Sequence, residues 1–329
     1  NRHPCEPMNT DMNNARQPSG TTGEPVISVV MPALNAGVTI GEALESLAGQ
    51  VPGLEVIVAD GGSTDDTVAI ARRFPFARVL SAPGTSIYQA LNLAVADARA
   101  PVVAWLNADD LFLPGMLAQV LDAFTAAPDA EIVRGTPLFI RSDAAGWQSN
   151  DGRIEAKAAG ALSLALITRG PLAINSMVFR RSALARIGPF DTSLRLAADR
   201  EWMLRAWCAG VRVVEMNRPL YCYRVHSGSS TLDPGRRNHL RAREEHAAIL
   251  RRLLPLARAG GSAAAVRGAL RHWHAVECAL RLRALVSAGE WRMAARICRE
   301  SLHADPAWPL ILAGQIAENF GGTRIGREG

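Results

Sequence analysis

Two adjacent carboxylates, Asp109 and Asp110, follow an apolar run in Trp105-Leu106-Asn107-Ala108-Asp109-Asp110, well before Pro114 can open a helix. They come too early to cap that helix, and like charges side by side repel unless a cation or a donor compensates. Hard oxygen ligands of this kind suit Mg²⁺ or Mn²⁺, which keeps waters and is completed by substrate phosphates. Two solvated turn aspartates are the plain alternative, because Asp is a common loop residue. An earlier apolar run ends in Asp60-Gly61-Gly62-Ser63-Thr64-Asp65-Asp66. Its glycines let a ligand approach the backbone, Ser63 and Asp66 read as helix caps, and Asp60, with no capping duty, is left to contact a base or ribose. The G-x-G-x-x-G spacing of a dinucleotide site is missing. The first run ends in Met31-Pro32-Ala33-Leu34-Asn35, which either holds backbone groups against a planar base or is only a turn.

Further along, Asp199, Trp202, Met203 and Ala206 follow helical i, i+3, i+4, i+7 spacing and share one face. That puts a carboxylate on the apolar side at a helix start, either as a cap or as a general base whose pKa burial would raise. Glu201 and Arg205 form an i, i+4 pair on another face and read as structural. Tyr223-Arg224-Val225-His226 with the hydroxyls after it gathers groups suited to a diphosphate or a metal, although a lone surface His is more often inert.

The elements that must position these groups alternate strand and helix from Pro25 onward, the pattern of βαβ units and a largely parallel sheet. Strands are expected at Val26–Met31, Glu55–Ala59, Ala77–Leu80, Val102–Leu106, Glu131–Ile140, Ser176–Arg180 and within Val211–Val225. Capping boxes at Thr39/Glu42 and at Ser63/Asp66 are expected to open the first two helices, with others at Ser86–Ala98, from Pro114 to about Thr125, and at Leu196–Ala209. In open α/β sheets ligands bind outside the carboxyl ends of the strands, where the polar residues above all fall. Residues 1–24 read as a disordered leader, 25–233 as the main domain, and 234–329 as a helical extension, with Gly289 breaking two helices between Ala275 and Pro306.

Of the 329 residues 48% are hydrophobic and 20% charged, an ordinary globular composition. The five cysteines are scattered with no C-x-x-C pair, which argues against a zinc or disulfide framework and points to a reducing, cytoplasmic setting. No apolar run reaches the roughly 18 residues that span a bilayer, and the first 24 lack a signal-peptide core. The net charge of +5 gathers late, through Arg236, Arg237, Arg241, Arg243, Arg251 and Arg252. Such a tail suits peripheral contact with the inner membrane face, and nucleic acid is not expected.

In order and spacing these pieces resemble glycosyltransferase family 2 on the GT-A fold, from about Val26 to Ser230. The matching segments are Val29–Asn35, Asp60–Thr67, Ile87-Tyr88-Gln89-Ala90-Leu91-Asn92, Leu106–Asp110 with Pro114-Gly115, Gly188-Pro189-Phe190-Asp191, Ala198-Asp199 with Arg205, and Tyr223–His226. The resemblance implies an inverting, metal-dependent transfer from a UDP-, GDP- or dTDP-sugar, hexosyl or N-acetylhexosaminyl, to a saccharide or lipid-linked saccharide in bacterial envelope or extracellular polysaccharide synthesis. It implies that Pro32, Ala33, Asn35, Asp60, Gly61, Asn92, Asn107, Asp109 and Arg224 hold the nucleotide-sugar, that Asp109, Asp110 and His226 bind Mn²⁺ or Mg²⁺, and that Asp199 is the base. Ala33 stands where threonine is common, Asn107 where the first acid of a D-x-D often stands, and Gln89 where aspartate is frequent. A nucleotide-sugar-binding protein that has lost catalysis is the alternative, against which Asp199 argues. A nucleotidyltransferase would need a basic, glycine-rich phosphate loop, and Met31–Thr39 holds none.

Overall fold

The structure, a computed structural model, describes residues 23–143, 146–149, 163, 164, 167, 174–225, 239–259 and 263–304. The chain divides into two compact units, Asn1–Pro234 and Gly235–Gly329.

In the first unit, β1 (Ile27–Ala33) is buried at every position and β2 (Leu54–Asp60) at all but its first. Strands covered on both faces read as continuous apolar runs rather than alternating ones, as these two do. β3 (Ala77–Ser81) and β4 (Val102–Trp105) complete a parallel set in the order β3-β2-β1-β4. The helices α1 (Ile40–Glu45), α2 (Thr67–Ala71) and α3 (Ile87–Asp97) make the crossovers. Because the chain steps outward through β2 and β3 and then returns to the far side of β1, the order reverses between β1 and β4. A crevice opens at such a reversal.

Beyond β4 the sheet is mixed. β8 (Met177–Arg180) pairs antiparallel with β4, and β6 (Ile132–Asp143) antiparallel with β8. β9 (Val213–Val225) runs parallel to β6, while β5 (Leu111–Phe112) and β7 (Gly146–Ser149) pair antiparallel at the periphery. The largely parallel sheet expected from the alternation therefore holds for β1 to β4 and for the β6–β9 pair, and the antiparallel pairings of β8 join the two sets. α4 (Met116–Ala126), α5 (Arg181–Ile187) and α6 (Ala198–Cys208) pack in this half. Register between β6 and β9 slips beside Arg134 and Thr136. A Cβ on Gly135 there would lie 2.5 Å from that of Leu220, so only glycine permits the approach.

Helix starts differ from the expected boxes. Thr39 precedes α1 but makes no side-chain cap bond, and Asp66 precedes α2 without one. The complete box is at α3, where Ser86 Oγ accepts the Gln89 N–H and Gln89 Oε1 accepts the Ser86 N–H at 2.8 Å. Gln89, a departure from the family pattern, thus has a local duty. In the second unit, α7 (His239–Ala259), α8 (Ala263–Ser287) and α9 (Trp291–Ala304) follow, with Gly289 left-handed in the last turn.

Candidate active site

β1 and β2 end in register, Pro32 opposite Ala59 and Ala33 opposite Asp60. The two turns that follow are sewn together. Asn35 has φ 49°, the one non-glycine left-handed residue among those described, a conformation Asn tolerates because its short side chain bonds locally. Its Oδ1 accepts the Thr64 N–H at 2.9 Å and its N–H donates to Ser63 Oγ at 2.9 Å. Thr67 Oγ1 accepts the Ala36 N–H at 2.7 Å and Asp65 Oδ2 the Gly37 N–H at 2.9 Å. A Cβ on Gly37 would sit 2.9 Å from that same Asp65 oxygen, so the bond needs glycine. Ser63 is therefore a cross-turn acceptor rather than the helix cap expected.

Asp60 also departs from its expected freedom. Its Oδ2 accepts the N–H of Gly62 at 3.2 Å and of Ser63 at 3.1 Å, so the carboxylate closes its own turn. Gly61 N–H reaches Ala33 O at 2.8 Å, holding the glycine turn over the end of β1.

The two aspartates after β4 part company. Asp109 is partly exposed at the strand end, whereas Asp110 is fully buried. Three donors converge on Asp110: the Tyr221 hydroxyl, the Arg224 N–H at 2.8 Å, and the Asn107 amide at 2.9 Å. Asn107 Oδ1 in turn accepts the Trp105 indole N–H at 2.8 Å. Burial, with the Asp109 charge next, pushes the Asp110 carboxyl up to about 7, although all three donors favour its ionised form. Tyr221 is pushed well above its ordinary value by burial and by the Asp110 charge. Metal ligation was expected of Asp110 as well as Asp109, and its oxygens face inward and accept from β9 and Asn107. Arg224 is likewise committed: its side chain is buried and its guanidinium pairs with Glu42 of α1.

Asp109 is left as the carboxylate at the rim. Mg²⁺ and Mn²⁺ are commonly held by one or two carboxylates plus substrate phosphates, so a one-carboxylate site beside a diphosphate fits the residues present. Among the described residues no three His, Cys, Asp or Glu side chains gather in a metal-holding group. His226 and most of Asp143–Gly170, the stretch expected to set specificity, lie outside the described residues.

Asp199 lies in the first turn of α6, whose cap position is Ala197, so it is not the helix cap. Trp202, Met203 and Ala206 on its face are fully buried, as the spacing predicts. Asp199 Oδ1 accepts the Arg200 N–H at 2.8 Å and lies 3.4 Å from the Tyr88 hydroxyl. Desolvation raises its carboxyl above the ordinary range, against the Arg200 charge, the Arg200 N–H and the Tyr88 hydroxyl. Tyr88 packs edge-on against Trp105, with ring centroids 6.3 Å apart, and both rings meet Phe190. The chain Asp199–Tyr88–Trp105–Asn107 thus ties the half-buried acid to the end of β4.

Asn92 serves that same cluster. Its amide donates to Phe190 O and accepts the Phe190 N–H, both at 2.9 Å, so it fixes the Phe190 segment. Arg205 pairs with Glu201 and donates to Ile187 O and to Pro189 O, the latter at 2.7 Å, which makes the pair the structural brace expected. Tyr221 and the tie through Tyr88 escaped sequence reasoning. A tyrosine within the short Leu220-Tyr221-Cys222 run was the available signal for the first.

With this geometry in hand, the chain can be compared with known proteins. Residues 28–187 match the glycosyl transferase family 2 profile. An uncharacterised glycosyltransferase of Mycobacterium bovis is 31% identical over 202 residues, 58% of this chain and 83% of that protein. The succinoglycan biosynthesis protein ExoU of Rhizobium meliloti is 30% identical over 206 residues, 56% of this chain and 58% of its own length. The match thus spans little more than half of that relative. A PGL/p-HBAD biosynthesis glycosyltransferase of M. bovis BCG is 28% identical over 191 residues, 56% of this chain and 70% of that one. Among solved structures, S. aureus TarS 1–349 in complex with UDP-GlcNAc superposes with TM-score 0.54 at 20% identity, covering 68% of this chain and 66% of that one. That likeness bears on the fold alone, which is GT-A. The chain belongs to glycosyltransferase family 2.

Proposed function

We propose that this chain transfers a sugar from a nucleotide-sugar donor to an acceptor hydroxyl by a single inverting displacement. The observation that carries the reading is the join between two features: a polar rim at the β1, β2 and β4 ends, and a desolvated Asp199 linked to it through Tyr88 and Trp105. The Asn35 and Gly61 turns offer backbone close enough to a ligand to hold base and ribose, with Pro32 and Ala33 as the floor. Asn107 and Asp109 face the donor's diphosphate side. A divalent cation on Asp109, when bound, would offset charge growing on the leaving diphosphate. Asp199 takes the proton from the acceptor hydroxyl, whose oxygen attacks the anomeric carbon opposite the leaving group. Asp110, Arg224 and Asn92 hold these groups in place without touching substrate.

TarS was solved with UDP-GlcNAc and with UDP, which makes UDP-sugars the first donors to try. The named roles of ExoU and the PGL/p-HBAD relative support an acceptor in polysaccharide or glycolipid assembly, and a domain boundary near residue 233 supports a separable helical tail. The test is the anomeric configuration of the transferred sugar, read by NMR with an acceptor panel. Inversion supports the reading. Retention overturns the single displacement, and donor binding without any transfer or hydrolysis favours the non-catalytic alternative.

A further inference from the structure

The charge of this chain is unevenly placed. Residues 235–329 hold sixteen arginines and no lysine against eight acids, a net of +8, while residues 1–234 sum to −3. Within that basic unit, α9 sorts its side chains by face. Ala294 and Ser301 are buried, and Ile297 and Cys298 pack toward Ala275 and Cys278 of α8. On an adjoining edge Trp291 is 64% exposed and Leu302 43%. The next edge round the helix carries Arg292 and Arg299, which make no ion pair among the described residues, whereas Arg296 is paired with Glu300. Val286, 41% exposed, stands near the end of α8, whereas Met293 lies on the far side of α9 from Trp291 and Leu302.

Large apolar side chains left in water beside an unpaired basic row are unfavourable for an isolated soluble helix, and they match what an interfacial helix needs. Trp and Leu enter the boundary between headgroups and acyl chains, and arginines at the waterline meet anionic phosphates. Nucleic acid would use the arginines but would gain little from Leu302. We propose that this edge of α9, with the end of α8, docks on an anionic phospholipid bilayer. The inference is independent of the reading given for the first unit.

The test is sedimentation of the full chain with vesicles of phosphatidylcholine alone or with roughly one-third phosphatidylglycerol. Binding is expected to the anionic vesicles only and to fade with salt. Arg292→Gln with Arg299→Gln should weaken it about 25-fold at low salt, about fivefold for each arginine near the surface. Trp291→Ser with Leu302→Ser should weaken it at every salt concentration. Both double variants should keep the thermal midpoint and nucleotide-sugar binding of the wild type. Should either variant unfold, quenching of tryptophan fluorescence by brominated lipids in the wild type, reduced in Trp291→Phe, reads the same contact. Equal binding to neutral vesicles, or binding that neither double variant changes, overturns the proposal. So does a dimer in solution that Trp291→Ser dissolves, which would make this face an interface between copies, or RNA binding that displaces the vesicles and ignores Trp291→Ser.

Discussion

Replacing Asp110 with Asn separates the two adjacent aspartates by consequence. In the native site three donors meet the two Asp110 oxygens with no exposure to water. Asparagine offers one oxygen and one NH₂. If the oxygen keeps the Arg224 N–H, the NH₂ faces the Tyr221 hydroxyl and the Asn107 amide. The hydroxyl can turn to accept, but Asn107 can do so only by flipping, which breaks its bond to the Trp105 indole at 2.8 Å. One buried donor is left unmet either way, at a cost of about 1–3 kcal/mol. The variant also sheds the burden of burying a charge, which the raised carboxyl reflects, so the net loss is about 2 kcal/mol. For a unit of this size that lowers the midpoint of thermal unfolding by roughly 4–8 °C. Circular dichroism melts read the shift, and Asp109→Asn, at the rim, should stay within about 0.5 kcal/mol of wild type. Below its transition Asp110→Asn should still bind Mn²⁺ in the presence of nucleoside diphosphate, while Asp109→Asn should not. An Asp110→Asn protein that melts like wild type, or one that stays folded but loses the metal, refutes the assignment.

Three further outcomes follow from particular contacts. Asp199 must be ionised to accept a proton, and desolvation raises its pKa, so the acid limb of the rate profile should lie above the ordinary carboxylate range. Activity is lost as pH falls through that raised value, and Asp199→Asn should remove both limb and rate. Burial works against the charge of Glu55, yet hydrogen bonds from Ser28, the Arg99 N–H and side chain, and Arg78 hold its carboxyl below the usual range. Its stabilisation is present above the unfolded value and disappears as pH falls through the lower folded one. Glu55→Gln should therefore cost about 1–2 kcal/mol at neutral pH and flatten the acid end of the stability curve in denaturant titrations. Gly135→Ala must push β6 from Leu220 and should cost about 1–3 kcal/mol in the same titrations without altering donor binding.

The strands and helices before Asp110 were legible because buried parallel strands are apolar throughout and their βα turns carry polar residues at the ligand edge. Asp199 on the apolar face of α6 was legible from periodicity alone. What the chain did not disclose were partners distant in sequence. Asp110 and Tyr221 are 111 residues apart, and so are Tyr88 and Asp199, and no local pattern signals such meetings. The same limit explains Ser63 and Asp60. Capping rules look three residues ahead, whereas Ser63 bonds 28 residues back to Asn35 and Asp60 closes a turn that spacing alone leaves open.

The central claim is transfer chemistry at the β1–β4 crevice, and release of nucleoside diphosphate tests it most directly. Wild type, Asp109→Ala and Asp199→Asn are each incubated with UDP-, GDP- and dTDP-sugars, with and without Mn²⁺ or Mg²⁺. The account predicts metal-dependent release from one donor, abolished in Asp109→Ala and strongly reduced in Asp199→Asn. Release that persists at the wild-type rate in both variants would contradict it.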